Sequence, residues 1–218
     1  MIDIQNLDKS LSGQKILSGI TLNIADGEKV LFLGHNGAGK TTLIRCLLGE
    51  YRPDCGKVSV NGHPLASERV EALRKIAFVP QLPPPIRFTL NELFEYASKI
   101  GLCSIDKIKE TSLYFGLDAN AHKHKAFYKL SGGMKQKILI SVAFSRDVDV
   151  YIFDEPTANL DAIGRDRFRE LIGAPEMSNK TVIFISHRLE ELANVVTRVI
   201  ELDLGRVVRD ERTLTVSA

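Results

Sequence analysis

The sequence predicts an α/β fold in which helices wrap a mainly parallel sheet, with an antiparallel β portion at the N-terminus and a helical subdomain. Three observations support this prediction. Strand-like and helix-like segments alternate over residues 29–79 and 149–208, as in parallel sheets covered by helices. Two strand-like segments precede them without an intervening helix. Between residues 81 and 145 the composition shifts to helical patterns that three consecutive prolines open.

The individual elements follow from periodicity and from residues that stop a helix or a strand. Alternation or a short apolar run predicts strands at residues 2–7, 16–24, 29–33, 57–60, 76–79, 149–153, 181–185, 198–202 and 206–208. Helical spacing predicts helices at residues 42–48, 67–75, 89–100, 105–115, 133–144, 163–172 and 189–195. Turns at Asp26-Gly27 and Asn61-Gly62 and a helix stop at Gly49 mark boundaries in the first third.

Composition and charge describe an ordinary globular chain of one domain. Of the 218 residues, 44% are apolar and 26% are charged, and 29 basic against 27 acidic residues leave a net charge of +2. This balance gives no reason to expect a nucleic-acid partner. No apolar run approaches the roughly 18 residues of a membrane-spanning helix, and the N-terminal residues lack the features of a secretory signal. We therefore expect a cytoplasmic protein whose cysteines are reduced.

The segment from Gly34 to Thr41 fits a phosphate-binding loop between a strand and a helix. Its glycines let backbone N–H groups turn inward around phosphates, Lys40 reaches the terminal phosphates, and the Thr41 hydroxyl ligates Mg²⁺. The helix that follows points its positive end at the anion. We expect these residues to bind ATP or GTP: Gly34, His35, Asn36, Gly37, Ala38, Gly39, Lys40, Thr41 and Thr42.

Two adjacent carboxylates, Asp154 and Glu155, follow the apolar run at residues 150–153. Open parallel sheets place their ligands at the carboxyl ends of strands, which is where this pair lies. One carboxylate can hold Mg²⁺ while its neighbour orients water. Adjacent side chains on a strand point in opposite directions, so we expect the two groups to have different roles.

A second helix start with glycines lies at Ser131-Gly132-Gly133. Apolar residues at helical spacing follow it, so the pattern indicates a serine-capped helix with bare backbone amides that can bind an anion. An ordinary cap with a flexible lead-in explains the local pattern equally well.

The order of these motifs resembles the ATP-binding subunit of ABC transporters over essentially the whole chain. The phosphate loop is followed by Gln81 after a strand, then by LSGGMKQK at residues 130–137, YIFDEP at residues 151–156, ANLD at residues 158–161 and a strand that ends in Ser186-His187. The resemblance implies an ABC-type P-loop NTPase with ATP and Mg²⁺ as cofactors. It also implies a core at residues 1–82 and 147–218 and a helical subdomain at residues 83–146 that carries the signature motif.

The resemblance also implies a role for each motif. Thr41, Gln81 and Asp154 attend Mg²⁺, Glu155 polarises the attacking water, and His187 is the switch histidine near the γ-phosphate. The signature residues complete the ATP site of the opposite subunit, and a loop at residues 159–161 contacts that subunit, so the active unit is a dimer around two ATP. The signature residues are Ser131, Gly132, Gly133 and Met134, and the dimer loop consists of Asn159, Leu160 and Asp161.

Two positions depart from the family pattern. Leu11 stands where the family usually has an aromatic residue that stacks on adenine, so we expect weak selection between ATP and GTP. Met134 stands where the family most often has glutamine, which removes a polar group beside the partner's nucleotide. Neither change touches Lys40, Asp154 or Glu155, so we expect an active ATPase.

The leading hypothesis is the ATP-binding and ATP-hydrolysing subunit of an exporter-type ABC transporter. Two such subunits, identical or paired with a second ATP-binding subunit, would drive a separate transmembrane permease on the inner face of the cell membrane. The alternative is a soluble ABC-type ATPase that is not coupled to transport, and a nucleotide-binding module without turnover is a third possibility. Leu82, Ile86 and Phe88, which lie between prolines and the helical insert, either pack on that insert or contact the permease.

Overall fold

The computed structural model describes residues 1–100, 103–187, 190 and 192–213. The chain forms two compact units. The first unit comprises Met1–Ile76, Asp149–Ile152 and Pro175–Ala218, and the second comprises Ala77–Val148 and Phe153–Ala174. The domain boundaries at residues 82 and 147 remain a prediction. They are placed by the positions of the motifs, whereas the two units are defined by their compactness.

Ten strands and six α-helices are formed by the described residues. The strands are β1 Ile2–Leu11, β2 Gln14–Ile24, β3 Lys29–Leu33, β4 Cys55–Val60, β5 His63–Pro64, β6 Ile76–Val79, β7 Val150–Asp154, β8 Thr181–Ile185, β9 Arg198–Asp203 and β10 Arg206–Arg212. The helices are α1 Lys40–Leu47, α2 Arg69–Arg74, α3 Leu90–Lys99, α4 Ile105–Tyr114, α5 Gly132–Phe144 and α6 Ala162–Gly173. No α-helix in these described ranges is long and apolar enough to cross a membrane.

The N-terminal sheet is antiparallel, as the sequence predicts. Its strand order is β2-β1-β4-β5, and β1 pairs with both β2 and β4. Ser12 and Gly13 have φ values of 50° and 81°, which suit a two-residue hairpin loop between β1 and β2. Because the loop is this short, pairing continues to Leu11 and Gln14, and both strands are longer than local alternation predicts.

The second sheet has the order β10-β9-β3-β8-β7-β6. Its strand β3 is parallel to β8 on one side and to β9 on the other, whereas β10 pairs with β9 in the antiparallel direction. Val30, Leu31 and Phe32 in β3 are buried, as are all five residues of β8. Strands buried on both faces read as continuous apolar runs. The predicted fold class is therefore confirmed.

The helices of the second unit pack on an apolar cluster that includes Leu90, Phe94, Ile108, Phe127 and Ile138. The start of α3 has the capping box of Thr89 and Glu92, in which each side chain bonds the other residue's backbone N–H. Ile138 attaches α5, which begins in the predicted signature motif, to the apolar cluster.

Most of the predicted elements occur at the predicted places. The bounds of β3, β6 and β8 are as predicted, and β10 extends to Arg212 because its antiparallel pairing with β9 continues to Arg198. The predicted helix at residues 189–195 lies partly outside the described residues. Within it, Leu192 accepts backbone hydrogen bonds from Val195 and Val196 in a turn.

Candidate active site

The predicted site residues belong to both compact units. Leu11, the loop at residues 34–42 and His187 lie in the first unit. Gln81, the signature residues 131–134 and the segment at residues 154–161 lie in the second unit. Each group is therefore described by itself.

The phosphate loop follows β3 directly and leads into α1. Gly34, Gly37 and Gly39 have φ values of 147°, 88° and 105°, which disfavour any residue with a side chain. A Cβ on Gly34 would lie 2.4 Å from the Leu202 carbonyl oxygen, and one on Gly39 would lie 2.9 Å from Leu17 Cδ2. The backbone of Leu202 thus leaves no room for a side chain at Gly34, whereas at Gly39 the left-handed backbone is the main restriction, because the end of the Leu17 side chain can shift.

Helix α1 starts without a side-chain cap. Gly39 occupies the N-cap position, and the first turn contains no acidic residue. Its first N–H groups and the positive end of its dipole therefore face no capping group from its own side chains, which suits an anion. Lys40 Nζ donates hydrogen bonds to the carbonyl oxygens of Gly34 and His35, the second at 3.0 Å. This ammonium group is consequently held at the loop.

The other loop residues differ in exposure. His35, Asn36 and Thr41 are exposed, whereas Ala38 and Thr42 are buried. The Thr41 hydroxyl is on the surface of the first unit, where a ligand can reach it. Thr42 belongs to the buried face of α1, which is what the apolar spacing of that helix requires.

Leu11 and His187 occupy contrasting positions in the first unit. Leu11 is the last residue of β1, is half-buried and pairs with Gln14 across the hairpin. His187 is exposed, two residues after the end of β8, and Ser186 between them is buried. The histidine is thus at the carboxyl end of a central strand, the edge at which open sheets place their ligands.

The acidic pair sits at the end of β7. Asp154 is the last residue of the strand and is half-buried, while Glu155 is buried and has a φ of 48°. This left-handed backbone is uncommon for a residue with a side chain and costs roughly 1–2 kcal/mol. The expectation that the two side chains alternate as on a strand therefore does not apply, because Glu155 lies outside β7.

The signature helix α5 starts with the predicted serine cap. The Ser131 hydroxyl accepts a hydrogen bond from the Met134 N–H at 3.3 Å. Gly132 and Gly133 are the first two residues of the helix. A Cβ on Gly133 would lie 2.9 Å from the Asn159 carbonyl oxygen, so the dimer loop of the same chain lies against this turn.

Two polar contacts attach the segment after Glu155 to α5. The Gln136 side-chain N–H donates to the Pro156 carbonyl oxygen at 3.3 Å, and Lys137 Nζ lies 3.0 Å from Asp161 Oδ2. Asp161 also caps α6 by accepting from the Gly164 N–H at 2.7 Å. Hydrogen bonding to Lys137 and, to a smaller extent, to this N–H lowers the pKa of Asp161.

Leu160 between these contacts is buried, while Asn159 is exposed. Asp161 is exposed as well, so a partner can reach two of the three dimer-loop residues, Asn159 and Asp161. Gln81 is also exposed and follows β6 after Pro80.

The residues implied for Mg²⁺ supply a hydroxyl, an amide and a carboxylate, from Thr41, Gln81 and Asp154. All three offer oxygen, the ligand that this hard cation prefers, and Mg²⁺ is usually held by one or two carboxylates together with substrate phosphates. The exposed Thr41 and Gln81 and the half-buried Asp154 are accessible for this purpose. The donor set therefore fits Mg²⁺.

The sequence does not predict the residues that contact the phosphate loop but lie far from it along the chain. His35 Nε2 lies 2.8 Å from Asp203 Oδ1, although 168 positions separate them in the chain. The Gly205 N–H donates to the Ala38 carbonyl oxygen at 3.0 Å. No local pattern near Asp203 or Gly205 indicates these contacts, since only the pairing of β3 with β9 brings the segments together.

The three cysteines are free thiols. Cys46 is buried, and burial raises the pKa of its thiol to about 11, so it stays protonated and packs as an apolar group. Cys55 is exposed and Cys103 is half-buried.

A family model described as ABC transporter matches residues 17–158. An energy-coupling factor transporter ATP-binding protein of Clostridium perfringens is 32% identical over 207 residues, which cover 89% of this chain and 72% of that protein. A Nod factor export ATP-binding protein I of Burkholderia thailandensis is 33% identical over 215 residues, which cover 96% of this chain and 70% of that protein.

A solved structure supports the same relationship. It is a dimeric ATP-binding cassette in a post-hydrolysis state, bound to ADP and inorganic phosphate, with a TM-score of 0.82 and 25% identity. The match covers 97% of this chain and 98% of that one. The predicted family is therefore confirmed, and the chain belongs to the ABC transporter family as an ATP-binding subunit with ATPase activity.

Proposed function

We propose that this subunit forms a dimer around two ATP molecules and drives a separate transmembrane subunit of an exporter at the inner face of the cell membrane. The observation that carries the proposal is the pair of unlike glycine-containing helix starts, one uncapped at Gly39 and one capped by Ser131. In the proposed dimer, the first holds the phosphates of the chain's own ATP and the second completes the partner's site. The dimeric cassette described above and the exporting relative support this proposal.

The phosphate loop binds and orients the triphosphate. Its backbone N–H groups and those at the start of α1 donate to phosphate oxygens. Lys40 Nζ gives up its hydrogen bonds to the carbonyl oxygens of Gly34 and His35 and donates to the terminal phosphates instead. Phosphoryl transfer depends on such positioning and charge stabilisation rather than on covalent chemistry by the protein. Mg²⁺, held by Thr41, Gln81 and Asp154, would neutralise charge on the phosphates.

Glu155 is the residue that we assign to activation of water. Its burial and its left-handed backbone hold the carboxylate in a restricted position directly after β7. There it accepts a proton from the attacking water, while the exposed His187 donates a hydrogen bond to the γ-phosphate. Completion of the site by the partner's signature residues couples hydrolysis to closure of the dimer.

The substitution Glu155→Gln tests this assignment because it removes the base and keeps the size of the side chain. We expect ATP binding to survive, hydrolysis to fall at least about 100-fold, and an ATP-dependent dimer to elute on size exclusion with light scattering. Glu110→Gln on the exposed face of α4 is the matched control and should behave as the wild type. A Glu155→Gln protein that hydrolyses ATP and stays monomeric would place the base elsewhere and argue against the sandwich.

Three exposed apolar side chains of the second unit, Leu82, Phe88 and Tyr96, form the proposed contact with the transmembrane subunit. Leu82 is 80% exposed and Phe88 is 45% exposed, and the rings of Phe88 and Tyr96 lie 5.9 Å apart. Ile86, in contrast, packs on the helical core of its own unit. Two exposed aromatic rings in contact, with a third exposed apolar side chain on the same segment as Phe88, favour an interface.

The docking proposal predicts that Phe88→Asp releases the subunit from membranes that contain its transmembrane partner. Basal ATPase activity should not change, because Phe88 lies outside the residues assigned to catalysis. Leu113→Asp is the control, since Leu113 on α4 is an apolar residue that is 63% exposed, more than Phe88. Equal co-purification of both variants with the transmembrane subunit would exclude this surface.

A further inference from the structure

The end of β9 and the turn that follows it contact the phosphate loop at three points. The Asp203 carboxylate lies 2.8 Å from His35 Nε2, and the Gly205 N–H donates to the Ala38 carbonyl oxygen at 3.0 Å. The Leu202 carbonyl oxygen fills the space that a Cβ on Gly34 would need. Residues at the beginning and in the middle of the loop are therefore held by one short segment of the chain.

The turn itself has little freedom to move. Leu204 and Gly205 have φ values of 44° and 74°, and Leu204 is 77% exposed. Gly205 accepts a hydrogen bond from the Ser18 N–H at 2.9 Å, and a Cβ on it would lie 2.1 Å from the Ile16 carbonyl oxygen. The turn thus contacts both β2 and the phosphate loop. These contacts hold Asp203, which precedes the turn, in position to bind His35.

Both ring nitrogens of His35 face hydrogen-bond acceptors. Nδ1 lies 2.7 Å from the Asn36 carbonyl oxygen, and Nε2 lies 2.8 Å from Asp203 Oδ1. A carbonyl oxygen and a carboxylate can only accept, so the imidazolium form alone satisfies both contacts. His35 in this arrangement therefore carries a positive charge at the phosphate loop, in addition to that of Lys40.

The charged groups that act on His35 come from two elements. Hydrogen bonding to the Asn36 carbonyl oxygen, followed by hydrogen bonding to Asp203 on β9, raises the pKa of His35. The positive charge of Lys40 on α1 opposes this effect and lowers it. The two hydrogen bonds outweigh the repulsion by Lys40, so the imidazolium persists over a wider pH range than in a free histidine.

We propose that His35 and Asp203 are a positioning pair that links protonation of the phosphate loop to nucleotide affinity. This inference rests on the proposed use of residues 34–42 to bind the phosphates. The protonated ring, tied to Asp203, holds the His35-Asn36 segment in the conformation seen here and adds a cation beside the polyphosphate. Loss of the proton breaks one of its two contacts and removes that charge.

The sign of the pH dependence follows from the raised pKa. The contribution of the pair is fully present below the ordinary pKa of histidine, near 6.5, and is lost as the pH rises through the higher value in the folded protein. A polyphosphate anion favours the imidazolium, so binding near neutral pH takes up protons. The triphosphate itself also titrates, and a matched variant is needed to subtract its contribution.

Calorimetric titration of the full-length chain with ATP at pH 6, 7 and 8 tests the pair in four proteins: wild type, His35→Gln, His35→Lys and His124→Gln. His124 is an exposed histidine of the second unit, so this last variant is the control. Relative to His35→Gln, the wild type should lose about two- to fivefold in affinity between pH 6 and 8, the range of exposed charge pairs. His124→Gln should follow the wild type, and His35→Lys, with a fixed charge, should keep its affinity at pH 8.

Repeating the titrations in buffers of different ionisation enthalpy measures proton uptake directly. We expect the wild type to take up more protons on binding ATP at pH 7 than His35→Gln does. In Asp203→Asn, the dependence of ATP affinity on pH should shift to lower pH. If wild type and His35→Gln both bind ATP but show parallel pH profiles and equal proton uptake, the role proposed for the His35–Asp203 pair is wrong, while the proposed function still stands. Failure of the wild type to bind ATP at any pH would instead contradict the proposed function.

Discussion

The two glycine-containing helix starts of this protein are built in different ways. The phosphate loop enters α1 through Gly39, which has a φ of 105° and provides no side-chain cap. The signature helix α5 begins at Ser131, whose hydroxyl bonds the Met134 N–H, and its two glycines lie within the helix. The first arrangement leaves backbone donors for a ligand, whereas the second already uses one of them.

The surroundings of the two sites differ as well. Rigid backbone atoms of Leu202 and Gly205 border the phosphate loop. The signature turn is bordered by Asn159 and by the ion pair of Lys137 with Asp161. We infer that the first site binds the phosphates of ATP within its own chain and that the second contributes only to a nucleotide held by a partner.

The largest expected difference in folding stability comes from placing alanine at a glycine of each site. Gly34→Ala would bring Cβ to 2.4 Å from the Leu202 carbonyl oxygen at a φ of 147°, so we expect a loss of about 1–3 kcal/mol in the free energy of unfolding. Gly132→Ala has a nearest neighbour at 3.8 Å and should change stability little or raise it by up to about 1 kcal/mol. Urea denaturation measures both, and equal losses would contradict the comparison.

The serine cap gives the next largest effect. Ser131→Ala removes the hydrogen bond to the Met134 N–H and should lower the free energy of unfolding by about 1 kcal/mol. Ser131→Asp, which keeps an acceptor, should restore stability, although its charge would repel the partner's phosphates. Thermal unfolding distinguishes the two variants, and an unchanged melting temperature in Ser131→Ala would show that the cap contributes nothing.

The smallest effect is expected at the ion pair that joins α5 to the dimer loop. Lys137 holds the pKa of Asp161 below its ordinary value, so the contribution of this carboxylate is present above its unfolded pKa and is lost as the pH falls through the lower folded value. Lys137→Met should cost less than about 1 kcal/mol at neutral pH, since the Asp161 side chain is largely exposed. It should also weaken the dependence of stability on acid pH, whereas Lys135→Met should leave that dependence unchanged.

Sequence patterns predicted the parts of the site that depend on near neighbours. The apolar run of β3, the glycines after it and the serine before α5 each indicate a local structure, and the structure has each of them at its predicted place. Long-range features had no such signal. The contact between His35 and Asp203 depends on strand pairing between distant segments, and no local pattern indicates the left-handed backbone of Glu155.

The central claim is that the phosphate loop binds ATP within a single chain while the signature helix serves a partner. ATP titrations at a protein concentration that keeps the chain monomeric, with wild type, Lys40→Ala, Lys107→Ala and Ser131→Ala, test this claim most directly. Lys40→Ala should lose at least about tenfold in affinity, because it removes a charge-assisted contact with phosphate. Lys107→Ala and Ser131→Ala should stay within about twofold of the wild type. A loss in Ser131→Ala that equals the loss in Lys40→Ala would contradict the claim.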